Sequence, residues 1–77
     1  MKHFLDFVVR SLVDNPDDVQ VIETSGSPKP SYRVSLHPSD VGLVIGKGGR
    51  TIGSIRSLIN TANKSGEHLA VEVVENP

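Results

Sequence analysis

The chain is predicted to fold as a small α+β domain: a three-stranded sheet with three helices packed on one face, in the order helix, strand, strand, helix, helix, strand. Three observations predict it. Apolar residues recur at helical spacing in three separate segments. Three β-branched or alternating runs lie between them. A Gly46-Lys47-Gly48-Gly49 turn separates the last two helical patterns. With 77 residues the chain has room for one core and no second domain. Layering one face of such a sheet with helices buries every apolar stripe at once.

The first helix is expected where Phe4, Leu5, Val8, Val9, Leu12 and Val13 form an amphipathic stripe. Asn15-Pro16-Asp17-Asp18 ends it, because Pro16 disfavours helix at Asn15 and donates no hydrogen bond. Val19 to Thr24 is β-branched and reads as a strand. Ser25-Gly26-Ser27-Pro28-Lys29-Pro30 follows as a turn, too short for an interdomain linker. Tyr32, Val34 and Leu36 alternate with Arg33, Ser35 and His37, the pattern of a half-buried second strand.

Pro38-Ser39-Asp40 opens a second helix: proline is tolerated in a first turn, and an aspartate complements the positive helix end. Gly46 ends it. Gly42 inside it costs about 1 kcal/mol relative to alanine and would let another backbone approach. The third helix runs from about Arg50 to Asn63, with Asn63-Lys64-Ser65-Gly66 closing it. His68 to Val74 makes the last strand, with Leu69, Val71 and Val73 on one face.

The glycine turn carries the chemistry. Between two helices it leaves backbone N–H groups unhindered at the positive end of the second, which suits a phosphate. Lys47 and Arg50 add charge. A Walker-type loop is excluded, because only three residues separate Gly42 from Gly46-Lys47 and Gly48 stands where Ser or Thr would hold magnesium. The dinucleotide fingerprint fails as well, since Thr51 occupies its last glycine position. A helix–GXXG–helix arrangement remains, the signature with which KH domains clamp about four nucleotides. Gly46 and Gly49 also read as plain helix-end glycines when taken alone.

The element order resembles the type II, prokaryotic KH domain, whose extra helix and strand (residues 1–30 here) precede a βααβ core (residues 31–77). The likeness spans essentially the whole chain and is closest to the small stand-alone bacterial KH proteins of the KhpA type. Ser39-Asp40-Val41-Gly42 leads into Ile45-Gly46-Lys47-Gly48-Gly49-Arg50-Thr51-Ile52. One departure is Gly48, where the family often has a bulkier or basic residue; it should loosen the loop and remove one phosphate contact.

The resemblance implies single-stranded RNA in a groove between the second and third helices and the adjoining strand. Gly46, Lys47, Gly48 and Gly49 would hold the backbone, with Arg50 and Arg56 adding charge. Val41, Val44, Ile45 and Ile52 are candidates for the groove floor; the same positions fit plain core packing. The resemblance further implies a homodimer, a complex with a larger KH-containing (KhpB-type) partner, RNA chaperone or post-transcriptional regulatory work, and a link to cell shape and cell-wall biogenesis. Leu58, about 40° beyond the apolar arc of Ile52, Ile55, Ile59 and Ala62, is a candidate dimer contact or half-buried packing. An interaction subunit with little RNA affinity of its own is the other reading.

Net charge is −1, yet its distribution is uneven. From Val41 to Gly66 the charged residues are Lys47, Arg50, Arg56 and Lys64, and none is acidic. All nine acids lie elsewhere. A basic face on an acidic body suits a short anionic strand. Only Phe4, Phe7 and Tyr32 are aromatic, which argues against a base-stacking sheet of the RRM kind. The three histidines, His3, His37 and His68, lack metal-ligand spacing, and no serine sits in a nucleophile elbow. No enzyme, metal or cofactor is expected. Zero cysteines exclude a disulfide framework. The early Asp6 argues against a signal peptide, and no apolar run reaches the roughly 20 residues of a membrane span. The expected location is the cytoplasm.

Overall fold

The computed structural model describes residues 1–24, 31–63 and 68–77. It contains α1 (Lys2–Leu12), β1 (Gln20–Thr24), β2 (Ser31–Leu36), α2 (Pro38–Ile45), α3 (Arg50–Ala62) and β3 (Ala70–Glu75). Short 3-10 turns at Pro16–Asp18 and Lys47–Gly49 precede β1 and α3. The sheet order is β1-β2-β3, with β1 antiparallel and β3 parallel to the central β2. This is the expected α-β-β-α-α-β order of a type II KH fold. The turn at Ser25–Pro30 and most of the Asn63–Gly66 closure lie outside the described residues.

The sequence pattern explains the layering. Val21, Tyr32, Val34, Leu36 and Val71 point to one face of the sheet and are buried there with Leu5, Val9, Val44, Ile52, Ile55 and Ile59 from the three helices. The opposite face carries Arg33, paired to Glu72 at 3.7 Å, a half-exposed Ile22 and a buried Ser35. Burial first, and then the negative charge of Glu23 across the strand pair, push the Tyr32 hydroxyl above its ordinary pKa.

Three expectations need correction. Along α1 only Leu5 and Val9 are fully buried; Val8 and Val13 pack partly, while Phe4 and Leu12 are exposed. The apolar stripe is wider than the strip that reaches the core. The last strand begins at Ala70 rather than His68. Leu69 is buried, but its N–H and C=O bond the Asn60 side chain (2.7 and 3.1 Å) and not a strand. Similarly, β1 starts at Gln20, because the Val19 N–H is used by the Pro16 carbonyl of the preceding turn.

Asp40 joins the two halves. Its carboxylate accepts the Asp14 and Asn15 N–H groups (3.2 and 3.0 Å) and the Asn15 side-chain amide (3.0 Å), and the residue is 1% exposed. The link out of α1 is thereby tied to the first turn of α2. His37 caps the same helix, its Nδ1 accepting the Ser39 N–H at 3.1 Å. Outside its own stretch of helix, no atom among the described residues comes within 4 Å of a side-chain position at Gly42, so no other backbone among them uses the approach this glycine allows.

Burial raises the Asp40 pKa, but the Asn15 side chain, the two backbone donors and nearby His37 outweigh it and hold the carboxyl below its ordinary 3.8. The folded state therefore binds a proton less readily than the unfolded chain. The stability this contributes is complete above about pH 4 and is lost as pH falls through the folded value. Urea unfolding between neutral and acid pH should show this loss. Asp40→Asn should lower stability at neutral pH and flatten the acid slope; an unchanged slope would refute the assignment.

Candidate nucleic-acid interface

The turn between α2 and α3 is built from positive-φ glycines. Gly46 has φ 75°, ψ 170°, a region that is essentially glycine-only, and its N–H closes α2 on the Gly42 carbonyl at 2.9 Å. Gly48 (φ 66°, ψ 19°) and Gly49 (φ 78°, ψ 14°) are left-handed. The Gly49 N–H bonds the Gly46 carbonyl at 3.1 Å, and the Arg50 N–H bonds that of Lys47. The loop is thus an internally bonded turn in which Gly48 supplies a left-handed step at no steric cost. Among the described residues, the Lys47 and Gly48 N–H groups have no hydrogen-bond partner. No side chain caps α3.

The surrounding charge is one-signed. Lys47 and Arg50 are exposed, and neither forms an ion pair among the described residues. Arg56 is employed differently: its Nε and Nη2 donate to the Val71 carbonyl at 3.2 and 3.0 Å. Together with Asn60 it covers the outer edge of β3. Neither contact was foreseen from the sequence. The only signal was a mid-helix asparagine, a residue that gains little from a helix interior unless it bonds elsewhere.

The apolar candidates separate by depth. Val44 has no exposed surface and Ile52 is 5% exposed, so both belong to the core beneath the turn. Ile45 is exposed and Val41 partly buried, which places these two at the surface of α2. Leu58 is 45% exposed on the outward side of α3, beside a shallow surface formed with Arg50, Gly53, Ser57 and Thr61. Electrostatically and geometrically the turn can accept an anion from backbone donors, with cations on both sides. Among the described residues no cluster of His, Cys, Asp or Glu is arranged to hold a metal.

The three glycines are not equivalent. A β-carbon at Gly46 would lie 2.3 Å from Thr51 Oγ1 and 2.9 Å from the Thr51 nitrogen, whereas positions 48 and 49 are open. Gly48→Ala and Gly49→Ala should each cost about 1–2 kcal/mol, the left-handed penalty alone. Gly46→Ala should cost more than either, because the clash includes backbone. Urea midpoints of the three variants decide this; equal midpoints would mean that Thr51 does not constrain the turn.

Comparison with known proteins agrees with this geometry. A family model described as KhpA/KhpB, KH domain matches residues 2–73. The chain is 37% identical over 76 residues to the RNA-binding protein KhpA of Chlamydia pneumoniae, covering 97% of each. It is 40% identical over 75 residues to the Clostridium acetobutylicum protein of that name, covering 96% of this chain and 100% of the relative. With the Mycobacterium leprae protein of that name the identity is 42% over 71 residues, 92% of this chain and 86% of the relative. A helix–GXXG–helix turn on a type II fold and a match along nearly the whole chain lead to one assignment: the chain belongs to the KhpA/KhpB family of KH domains.

Proposed function

We propose that this protein binds single-stranded RNA by holding a short stretch of its backbone on the Gly46–Gly49 turn, and that it acts as an RNA chaperone or post-transcriptional regulator in the cytoplasm. One observation carries the reading: among the described residues, the Lys47 and Gly48 N–H groups have no partner and the neighbouring Lys47 and Arg50 side chains have no acidic partner. A phosphate satisfies all four. Family membership and the name RNA-binding protein among the relatives support the same ligand class. Among the described residues no helix is long and apolar enough to cross a membrane.

In this reading Lys47 and Arg50 supply charge, Gly46 and Gly49 shape the turn, and Ile45 and Val41 present apolar surface to bases. Val44 and Ile52 support the groove from below. Arg56 holds β3 in place and adds charge at the far wall. A contact of a few nucleotides is weak, so useful affinity requires a second RNA-binding surface. A second copy, or a larger KH-containing partner of the KhpB type, supplies it. The outward side of α3 is the proposed homodimer face: Gly53, Ser57 and Thr61 recur every four residues and allow close helix approach beside Leu58. A role in cell shape and cell-wall biogenesis would follow from the RNAs bound.

Three outcomes test this reading. Replacing Lys47 and Gly48 by Asp should weaken single-strand binding roughly 100-fold or more, since the Lys47 charge contact of about 1.5–3 kcal/mol is lost and two carboxylates are set against the phosphates. Circular dichroism should show the variant folded, and unchanged affinity would exclude the turn as the RNA site. For the wild type, the log–log salt slope should be about −1.4 to −2.1, as for two or three phosphates on a single strand. A slope several-fold steeper would reveal a larger basic surface. Leu58→Glu should give a folded monomer that keeps its affinity for a short site and loses it for long RNA. Sedimentation at about tens of micromolar decides, and a monomeric wild type or a dimeric variant rules the face out.

A further inference from the structure

The two outer edges of the sheet are each blunted by helix side chains at one end only. On β1 the cover is Arg10, held by Asp6 at 2.9 Å, whose Nη1 and Nη2 donate to the Pro16 and Val19 carbonyls at 2.6 and 3.2 Å. Beyond Val19 nothing among the described residues covers the edge. The strand pairing identifies which groups it exposes. The Asn76 N–H donates to Leu36, so even-numbered residues of β2 face β3, and Ser31, Arg33 and Ser35 face β1. Their partners Thr24, Ile22 and Gln20 therefore turn inward. Val21 and Glu23 turn N–H and C=O outward, as the Val19 carbonyl does where Arg10 meets it. Among the described residues, neither Val21 nor Glu23 has a backbone partner on that side.

Beside this edge runs a groove of about 490 Å³, walled by Lys2, His3, Asp6 and Arg10 of α1 and reaching Ile22. Donor–acceptor pairs repeating every second residue match another extended chain and nothing else as well. A nucleic acid would bring its phosphates to Asp6 and Glu23, while Arg10 is already engaged. A second copy would carry its own α1, a cylinder about 10–12 Å across, into a space suited to a single strand. Lys2 is the one wall cation without an ion pair among the described residues. Ile22 is 50% exposed on the outer sheet face.

We propose that the open edge of β1, beside α1, docks an extended segment of a partner protein by strand addition. The segment places a β-branched or aromatic residue beside Ile22 and an acidic residue toward Lys2. This surface is separate from the glycine turn, so a partner held here leaves the turn free.

The test pans a display library of short random peptides against the full-length protein. Recovered peptides should alternate apolar and acidic residues, and should perturb and protect the Val21 and Glu23 amides in NMR spectra. Glu23→Pro removes only an outward N–H, because the ladder to β2 uses Ile22 and Thr24. It should weaken these peptides roughly tenfold or more, while Glu23→Gln retains them and both variants keep the wild-type affinity for a single-stranded RNA oligonucleotide. Three results would each overturn the proposal: recovery of no binding peptide, equal peptide affinity for Glu23→Pro, or Val21 and Glu23 amides already protected in the free protein by self-pairing that sedimentation detects.

Discussion

The buried carboxylate of Asp40 is the contact on which the arrangement of the domain depends. A charged oxygen pair withdrawn from water must be hydrogen-bonded, and all three of its donors come from Asp14 and Asn15. Those residues belong to the link that follows α1, so the N-terminal helix and the start of α2 cannot shift independently. Val44 in the core and Gly46 at the turn anchor the other end of α2. A helix of eight residues thereby becomes a fixed strut between the N-terminal extension and the glycine turn. Marginal intrinsic stability in so short a helix, with a glycine inside it, makes such anchoring necessary.

Helix side chains also complete the sheet. Asn60 takes both backbone groups of Leu69, acting as a one-residue substitute for a neighbouring strand. Arg56 continues along the same edge and Arg10 does the equivalent on β1. Buried backbone groups near the helices are satisfied in this way, and the edge further along is left available. Among the described residues this covering stops at the turn, where the Lys47 and Gly48 N–H groups have no partner, and along β1 beyond Val19.

Charge is arranged to the same end. The absence of acids from Val41 through Gly66 means that no local carboxylate competes for Lys47 or Arg50. Acids elsewhere are used structurally, as Asp40 and Asp6 are, or remain on the surface, as Asp17 and Asp18 do. The net charge near zero gives no hint of this division. A segment free of acids around the turn favours an anion there over the acid-rich remainder of the chain.

Periodicity in the sequence was sufficient for the element order, because helices and strands that share one core must each show an apolar face of period 3.6 or 2. The glycine turn was legible for a related reason: its positive φ angles at Gly46, Gly48 and Gly49 favour glycine, so the constraint is written in residue type. Depth was not legible. Val44 and Ile45 are adjacent and similarly apolar, yet one is fully buried and the other exposed, and only the packing of α2 against the sheet distinguishes them. Phe4 and Leu12 failed as core residues for the same reason, since the stripe on α1 is wider than its contact. Long-range polar pairings were equally invisible. Asp40 with Asn15, Asn60 with Leu69 and Arg56 with Val71 join residues on different elements, and no local spacing encodes which donor meets which acceptor. Sequence alone determined which segments form helices and strands and where a glycine turn interrupts them. Tertiary structure decided which side chains were spent on holding elements together and which were left exposed, because that division depends on which surfaces the fold brings into contact.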